Sequence, residues 1–250
     1  MPILSLLIGT PIIGAILLMV VPENRVTLIK WIAALFAFAG LVITLLLYLS
    51  YDKTVGGMQF VENFQWIKAF EIHYHIGIDG LSLSMVLLTA IIWFTSVLIT
   101  WNLQDRVKEF FIYMFILVGG IFGVFLSLNL LVMFIFLEIA VIPKFILIHV
   151  WGSGKKEYSA LKYTLYLLTG SAFALIAIML IFINTSTLEL TQLSLISFSA
   201  HFQKLIFLLL LIGFGVIIPL WPLHRWTPDG HSSAPTAISM LLAGVIMKLG

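Results

Sequence analysis

The sequence predicts an all-α protein, a polytopic bundle of transmembrane helices. Of its 250 residues, 62% are hydrophobic and only 10% are charged, and the mean hydropathy is +1.16. A soluble core could not bury so many apolar side chains. Apolar runs of about 20 residues, the length that crosses a bilayer, recur along the whole chain. Composition and spacing together therefore predict an integral membrane protein.

Seven apolar runs give the predicted spans, and an eighth begins near Thr236. The seven lie at about 3–22, 28–50, 79–101, 110–128, 130–151, 163–184 and 205–224. The first lacks the basic segment and cleavage site of a signal peptide, so we expect it to be retained. The eighth reaches Gly250 and is too short to cross at about 1.5 Å per residue. We therefore expect either a fragment or a continuation on a separate polypeptide.

Lysine and arginine residues in the connections predict the orientation. One set of loops holds eight, namely Arg25, Lys30, Arg106, Lys108, Lys155, Lys156, Lys162 and Arg225. The opposite set holds three, namely Lys53, Lys68 and Lys204. Because basic loops stay on the cytoplasmic or matrix side, called the inner side below, the N-terminus is predicted to lie outside.

The longest connection, residues 51–78, is predicted to contain a strand on the outer side. In it Ile72, Tyr74, Ile76 and Ile78 alternate with Glu71, His73, His75 and Gly77. Such alternation predicts a strand, here half of a hairpin. His73 and His75 would share one face of it. A metal site is conceivable there, but no third ligand is evident, so we interpret both as surface histidines.

Several classes of function are excluded by what the sequence lacks. The chain has no cysteine, which excludes disulfides and thiolate-held iron–sulfur clusters from it. It has no phosphate-binding loop, nucleophile triad, dinucleotide fingerprint or histidine pair for a haem. The net charge of +2 comes from basic residues that stand singly, so nucleic-acid binding is not predicted. No cofactor or metal site is therefore predicted in this chain.

Glu138 and Lys144 are charged residues within the fifth apolar run. A charged side chain at a helix centre costs roughly 2.5 to 3.5 kcal/mol on insertion scales, and such residues usually mark function. Six residues turn an ideal helix by about 600°, which leaves Lys144 about 120° away from Glu138 and about 9 Å deeper. The two cannot pair on a straight helix. Pro143, however, predicts a kink or local unwinding. The alternatives are a neutral glutamic acid bonded to a neighbouring helix, or a static ion pair.

The seventh run is predicted to form a broken helix near the inner side. Pro219, Pro222 and Pro228 interrupt it, and broken membrane helices are tolerated where they line a wet cavity or are buried in protein. The polar residues His224, Arg225, Asp229 and His231 follow at the same end. They indicate either a proton entry or only a polar cap. Lys248, in the eighth run, is predicted to be a second buried cation.

Four motifs carry a resemblance to a known family. They are GIDGLSLSMVLLT at 77–89, LLVMFIFLEIAVIPKFILIHVWG at 130–152, KYTLYLLTGS at 162–171 and PLHRWTPDGHSSAPTAISMLLAGVIMKLG at 222–250. In this order they resemble the antiporter-like chain M subunits, the mitochondrial subunit 4 counterparts, of proton-pumping NADH-quinone oxidoreductase, respiratory complex I. Chains L and N and the multisubunit cation/proton antiporters share parts of the pattern.

The resemblance implies the first half of a 14-helix antiporter-like fold with a broken seventh helix. Residues 1–109 would hold helices 1 to 3 with the external hairpin. Residues 110–250 would hold the first antiporter-like repeat, helices 4 to 7 and the start of helix 8. The implied protein is a non-redox subunit of an enzyme, a translocase of the respiratory chain in a bacterial plasma membrane or mitochondrial inner membrane. NADH, flavin, iron–sulfur clusters and quinone are expected in partner subunits, and L and N type chains are the expected neighbours.

The resemblance also implies roles for individual residues. In the family a helix 5 glutamate pairs with a helix 7 lysine, and a helix 8 lysine passes protons onward. Glu138 and Lys248 match two of these positions, but Ile217 stands at the helix 7 lysine. We hypothesise that Lys144 is that lysine relocated to helix 5; the alternative is that Lys144 extends to the inner interface. Three functions stay open: a proton-translocating oxidoreductase subunit, a cation/proton antiporter subunit, or a non-pumping spacer, which Ile217 favours.

Overall fold

The computed structural model describes residues 2–68 and 72–250. Seven of the described helices are long and apolar enough to cross a membrane, which confirms the predicted bundle. They are α1 (Ile3–Val20), α2 (Val26–Ser50), α3 (Gly80–Ile99), α4 (Val107–Leu126), α5 (Leu130–Trp151), α6 (Lys156–Thr185) and α7 (Ala200–Ile217). The chain then continues through a 3-10 turn (Leu223–Trp226), a short helix (Thr227–Ser233), α8 (Thr236–Gly244) and a 3-10 turn (Ile246–Lys248).

The central helix of the bundle is α4, the most deeply buried of the seven. It packs against α1 on one side and α5 on the other, while α2 packs on α3, α6 on α7, and α8 on α3. Glycines allow the helix backbones to approach. A Cβ on Gly120 would lie 2.9 Å from the carbonyl oxygen of Phe136 in α5. Gly119 of α4 faces α1, and Gly123 receives the Phe136 ring.

The predicted hairpin is present on the outer side of the proposed topology. Strands β1 (Gln59–Ile67) and β2 (Ile72–Ile78) pair antiparallel, with Asn63 opposite His75; Glu71, in the predicted alternation, lies outside the described residues. The backbone nitrogen of Leu128 donates to the His75 carbonyl at 2.8 Å. The Glu62 carboxylate accepts from the Leu4 nitrogen at 2.8 Å, where the N-terminal end of α1 favours negative charge. The hairpin is thereby fixed to α1 and to the α4–α5 connection.

A tight backbone contact between α6 and α7 places the broken helix. A Cβ on Gly213 would lie 2.9 Å from the backbone nitrogen of Ala174, and one on Gly170 would lie 2.9 Å from the Gly213 carbonyl oxygen. Neither neighbour is a flexible side chain, so the helices would have to separate. The absence of a side chain at both positions is therefore what brings the end of α7 close to α6.

We expect Gly213→Ala to destabilise the protein by about 1–3 kcal/mol, since an added methyl group overpacks this contact. The matched control is Gly9→Ala in α1, where the added Cβ meets only Ile13 of the same helix at 3.8 Å. The midpoint of thermal unfolding in detergent should fall for the first variant and stay level or rise slightly for the second. Equal midpoints for both variants would contradict the packing described.

Candidate functional site

Helix α5 runs without interruption through Pro143. The expectation of local unwinding at this residue is therefore wrong. Proline lacks a backbone N–H, so one helical hydrogen bond is missing, but packing on both sides keeps the helical backbone in place. Pro143 itself is buried. No ion pair joins Glu138 and Lys144 in the described part of the chain.

Both charged side chains nevertheless line one small cavity. Its volume is about 10 Å³, close to the least that holds one water molecule. The cavity is bounded by α5, α6, α7 and the segment after α8, with the lining residues Leu137, Glu138, Val141, Lys144, Leu167, Ile217, Ile246 and Leu249. One carboxyl oxygen of Glu138 is buried and has no hydrogen-bond partner within residues 2–68 and 72–250. Such a group in a native protein is usually satisfied by internal water.

Lys144 points into the bundle. Its side chain is 3% exposed, and its ammonium nitrogen lies 5.9 Å from the centroid of the Tyr163 ring. The alternative that Lys144 extends to the inner interface is therefore wrong in this structure. Ile217, the last residue of α7, is 4% exposed and lines the same cavity. The structure thus places the α5 lysine beside the α7 position at which the resemblance implies a lysine.

The break after α7 agrees with the prediction, and its backbone groups are paired in an unusual way. Pro219 cannot donate to the Gly215 carbonyl, so the backbone nitrogen of Leu220 does, at 2.8 Å. The next carbonyl, of Val216, accepts from the indole Nε1 of Trp226 at 2.8 Å. Pro228 does not interrupt a helix, because it lies in the first turn of the short helix, where proline is tolerated.

The polar residues after the break occupy separate environments. Asp229 forms an ion pair with Lys162 of α6, with Nζ and Oδ2 2.5 Å apart. His231 Nδ1 lies 3.1 Å from the Ser239 hydroxyl, and burial lowers the pKa of the His231 imidazole. His224 Nδ1, Thr227 Oγ1 and His231 Nε2 are buried and have no hydrogen-bond partner among the residues that the structure describes. Imidazole and hydroxyl groups of this kind can accept and pass protons through water.

Lys248 is exposed, so the expectation of a second buried cation is wrong. Helix α8 ends at Gly244, and the following 3-10 turn directs the ammonium group back to the carbonyl oxygen of Ala243. Within the described residues no helix covers this side chain. Ile246, in the same turn, points inward instead and lines the cavity.

Two aromatic residues of this site escaped the sequence analysis. Tyr163 and Trp226 are 0% and 1% exposed, and their rings meet edge to face with centroids 4.8 Å apart. Trp226 is therefore buried and does not anchor the chain at the membrane interface. The Tyr163 hydroxyl is buried and finds no hydrogen-bond partner among the described residues. The one available signal was the position of Tyr163 beside Lys162, at the start of an apolar run, and it does not distinguish a site residue from packing.

The histidines of the hairpin form a separate polar cluster. His75 Nδ1 lies 2.5 Å from Glu189 Oε2, and Asn129 Nδ2 donates to Glu189 Oε1 at 2.7 Å. His73 Nδ1 instead lies 2.7 Å from Asn63 Oδ1. No group of three potential metal ligands occurs among residues 2–68 and 72–250. The cluster connects the hairpin to the start of α5, and it lies apart from the Glu138 cavity.

The family model described as NADH:quinone oxidoreductase/Mrp antiporter, TM, matches residues 127–250. NADH-ubiquinone oxidoreductase chain 4 of Marchantia polymorpha is 37% identical over 249 residues, 99% of this chain and 50% of that protein. NADH-quinone oxidoreductase subunit M of Rhodobacter capsulatus is 34% identical over 234 residues, 88% of this chain and 45% of that protein. The chain thus spans about half the length of these relatives.

A solved structure gives the same fold. A chain of respiratory complex I from Thermus thermophilus with bound NADH matches with a TM-score of 0.87 and 23% identity, covering 100% of this chain and 51% of that chain. At this identity the likeness concerns the fold alone, and it confirms the predicted antiporter-like architecture. With the sequence matches above, it follows that this chain belongs to the NADH:quinone oxidoreductase/Mrp antiporter family of transmembrane subunits.

Proposed function

We propose that this chain is part of a proton-translocating membrane subunit of a respiratory NADH-quinone oxidoreductase. The observation that carries the proposal is the cavity shared by Glu138 and Lys144 inside the bundle. Buried ionisable groups are costly in a membrane and mark ion or proton paths. The names of the relatives, chain 4 and subunit M of such oxidoreductases, support the same function.

Proton transfer at this site would depend on the interaction of two charges. A buried carboxylate and a buried ammonium group influence each other strongly, because the surroundings screen charge poorly. The proton occupancy of one therefore depends on that of the other. A charge that changes near either residue, in this chain or in a neighbouring subunit, would shift both. Water in the cavity beside Glu138 would supply the connection that the two side chains do not make directly.

His224, Asp229 and His231 are proposed as the proton entry from the inner side. Their support is the group of buried, unpartnered polar atoms after the break in α7, which water can bridge. Asp229 would act together with Lys162, its ion-pair partner. Lys248 is proposed as the onward proton carrier, at a position exposed on the described residues.

The partners follow from the proposed complex. Other membrane subunits, especially L and N type chains, would flank this one. NADH, flavin, iron–sulfur clusters and quinone would belong to partner subunits, so this chain would act as a non-redox part of the enzyme. The membrane would be a bacterial plasma membrane or a mitochondrial inner membrane. The excess of basic residues in one set of loops supports an N-terminus on the outer side.

Two other functions remain as alternatives. The family description also names Mrp antiporters, which favours a cation/proton antiporter subunit. Copurification of flavin and iron–sulfur subunits would decide for the oxidoreductase, whereas their absence together with sodium-dependent proton exchange would decide for the antiporter. Ile217 favours a non-pumping spacer that has lost its proton pair. The burial of Lys144 beside Ile217 argues against the spacer function. A buried charge within the membrane is costly, so a lysine without a function is not expected there.

The proposed orientation predicts the side on which loops can be labelled. Single cysteines introduced at Gly56 and at Lys155 should react with a membrane-impermeant thiol reagent from opposite sides. Gly56 should react from the outside of intact cells or mitoplasts, and Lys155 only from inside-out vesicles. The native chain has no cysteine, so its unaltered form provides the background. Reversed labelling would overturn the orientation.

The proposed function predicts a specific loss and rescue of proton pumping. Lys144→Met should abolish most pumping in an assembled complex, because Glu138 loses the cation that shares its cavity. Adding Ile217→Lys should restore pumping, since it places a lysine in the same cavity from α7. Proton uptake into inside-out vesicles during NADH oxidation measures both results. The control is Ile217→Met, which keeps the cavity apolar and should not restore pumping. Normal pumping by assembled Lys144→Met, or absence of rescue, would contradict the role of Lys144.

A further inference from the structure

We propose that Tyr163 is a positioning residue that holds the Lys144 ammonium group at the Glu138 cavity through the face of its aromatic ring. The proposal rests on the proposed function, because it takes Lys144 to be a proton carrier. It adds a residue on α6 that the sequence did not single out, and it connects that residue to the break after α7.

The charge of Lys144 needs a nearby partner. The side chain is 3% exposed, and no hydrogen bond or ion pair to its ammonium group occurs within residues 2–68 and 72–250. The Tyr163 ring centroid lies 5.9 Å from the nitrogen, within the distance of about 6 Å at which a ring face attracts a cation. This attraction is strongest where little water screens the charge, and both side chains are buried.

The ring of Tyr163 is the part that acts, and its hydroxyl group is not. The hydroxyl is buried and has no hydrogen-bond partner in the described part of the chain, so its removal breaks no hydrogen bond there. Burying such a group costs free energy that phenylalanine would not incur. A conservative change to phenylalanine is therefore expected to preserve the role, whereas an aliphatic side chain would remove the ring face.

Trp226 connects the ring to the broken helix. Its indole packs edge-on against Tyr163 at 4.8 Å between centroids, and its Nε1 donates to the Val216 carbonyl in the last turn of α7. Ile217, the next residue, lines the cavity. A rearrangement of the segment after α7 would thus move Trp226, then Tyr163, and change where Lys144 is held. The break in α7 and the Lys144 charge are in this way mechanically linked.

The test is a double-mutant cycle in the complete complex in native membranes, with assembly, quinone reduction and proton pumping measured for each variant. Tyr163→Phe should pump within about twofold of the unaltered complex. Tyr163→Leu should lower the protons pumped per quinone reduced about tenfold, in line with the loss of a desolvated cation–π contact. With Lys144→Met present, adding Tyr163→Leu should change nothing further, because the two side chains act as one unit.

The matched control is Phe122→Leu in α4. Phe122 is a buried aromatic that packs edge-on against Trp93, and its truncation should leave the ratio of protons to quinone unchanged. Normal coupling in assembled Tyr163→Leu, with impaired Lys144→Met, would overturn the role of Tyr163 and leave the proposed function standing. Normal coupling in Lys144→Met would instead contradict the proposed function.

Failure of Tyr163→Leu to assemble would also give a clear answer. The double variant Tyr163→Leu with Lys144→Met then decides. Recovered assembly of the double variant would support the positioning role, because the assembly defect would then come from a buried Lys144 that lacks the Tyr163 ring. Continued failure would overturn it, since the ring would then be needed for packing alone.

Discussion

The buried charge of Lys144 is the constraint on which the rest of this site depends. A lysine at the centre of a membrane helix costs roughly 2.5 to 3.5 kcal/mol on insertion scales, and here its side chain is 3% exposed. Three features around it reduce that cost: the carboxyl group of Glu138 across a small cavity, the ring face of Tyr163, and space for water. Each of them would be unremarkable packing without the lysine. Together they form an electrostatic environment whose proton occupancy can respond to nearby charge.

The break after α7 is linked to this environment through Trp226. Because Pro219 has no backbone N–H, the carbonyls of Gly215 and Val216 accept from other donors. The Val216 carbonyl accepts a hydrogen bond from the indole of Trp226. That indole then packs on the ring beside Lys144. The close contact of Gly170 and Gly213 holds the end of α7 against α6, so the break, the ring and the lysine keep a fixed relation. The discontinuity is tolerated because the Gly215 and Val216 carbonyls accept hydrogen bonds from donors within the protein.

Much of the fold could be predicted because it is encoded locally, and much of the site could not. Spans follow from apolar runs of membrane length, the hairpin from alternation at Ile72 to Ile78, and the break from proline chemistry at Pro219. Glu138 and Lys144 could be selected because charge within an apolar run is rare. The expectation of unwinding at Pro143 was wrong because the helical backbone continues through that residue, and the expectation of a buried Lys248 was wrong because α8 ends at Gly244 and a 3-10 turn follows. The position of Tyr163 beside Lys144 and the pairing of His75 with Glu189 could not be predicted, because both depend on contacts between residues that are distant in sequence.

The central claim is that Glu138 and Lys144 act together in proton transfer, and infrared difference spectroscopy of the complete complex tests it most directly. Spectra recorded before and after NADH-driven turnover should contain a carboxyl C=O band that disappears in Glu138→Gln, because that side chain changes its protonation during the cycle. The same band should change in Lys144→Met, since the cation that shares the cavity is gone. A spectrum that is identical in the unaltered complex and in assembled Glu138→Gln would contradict the account.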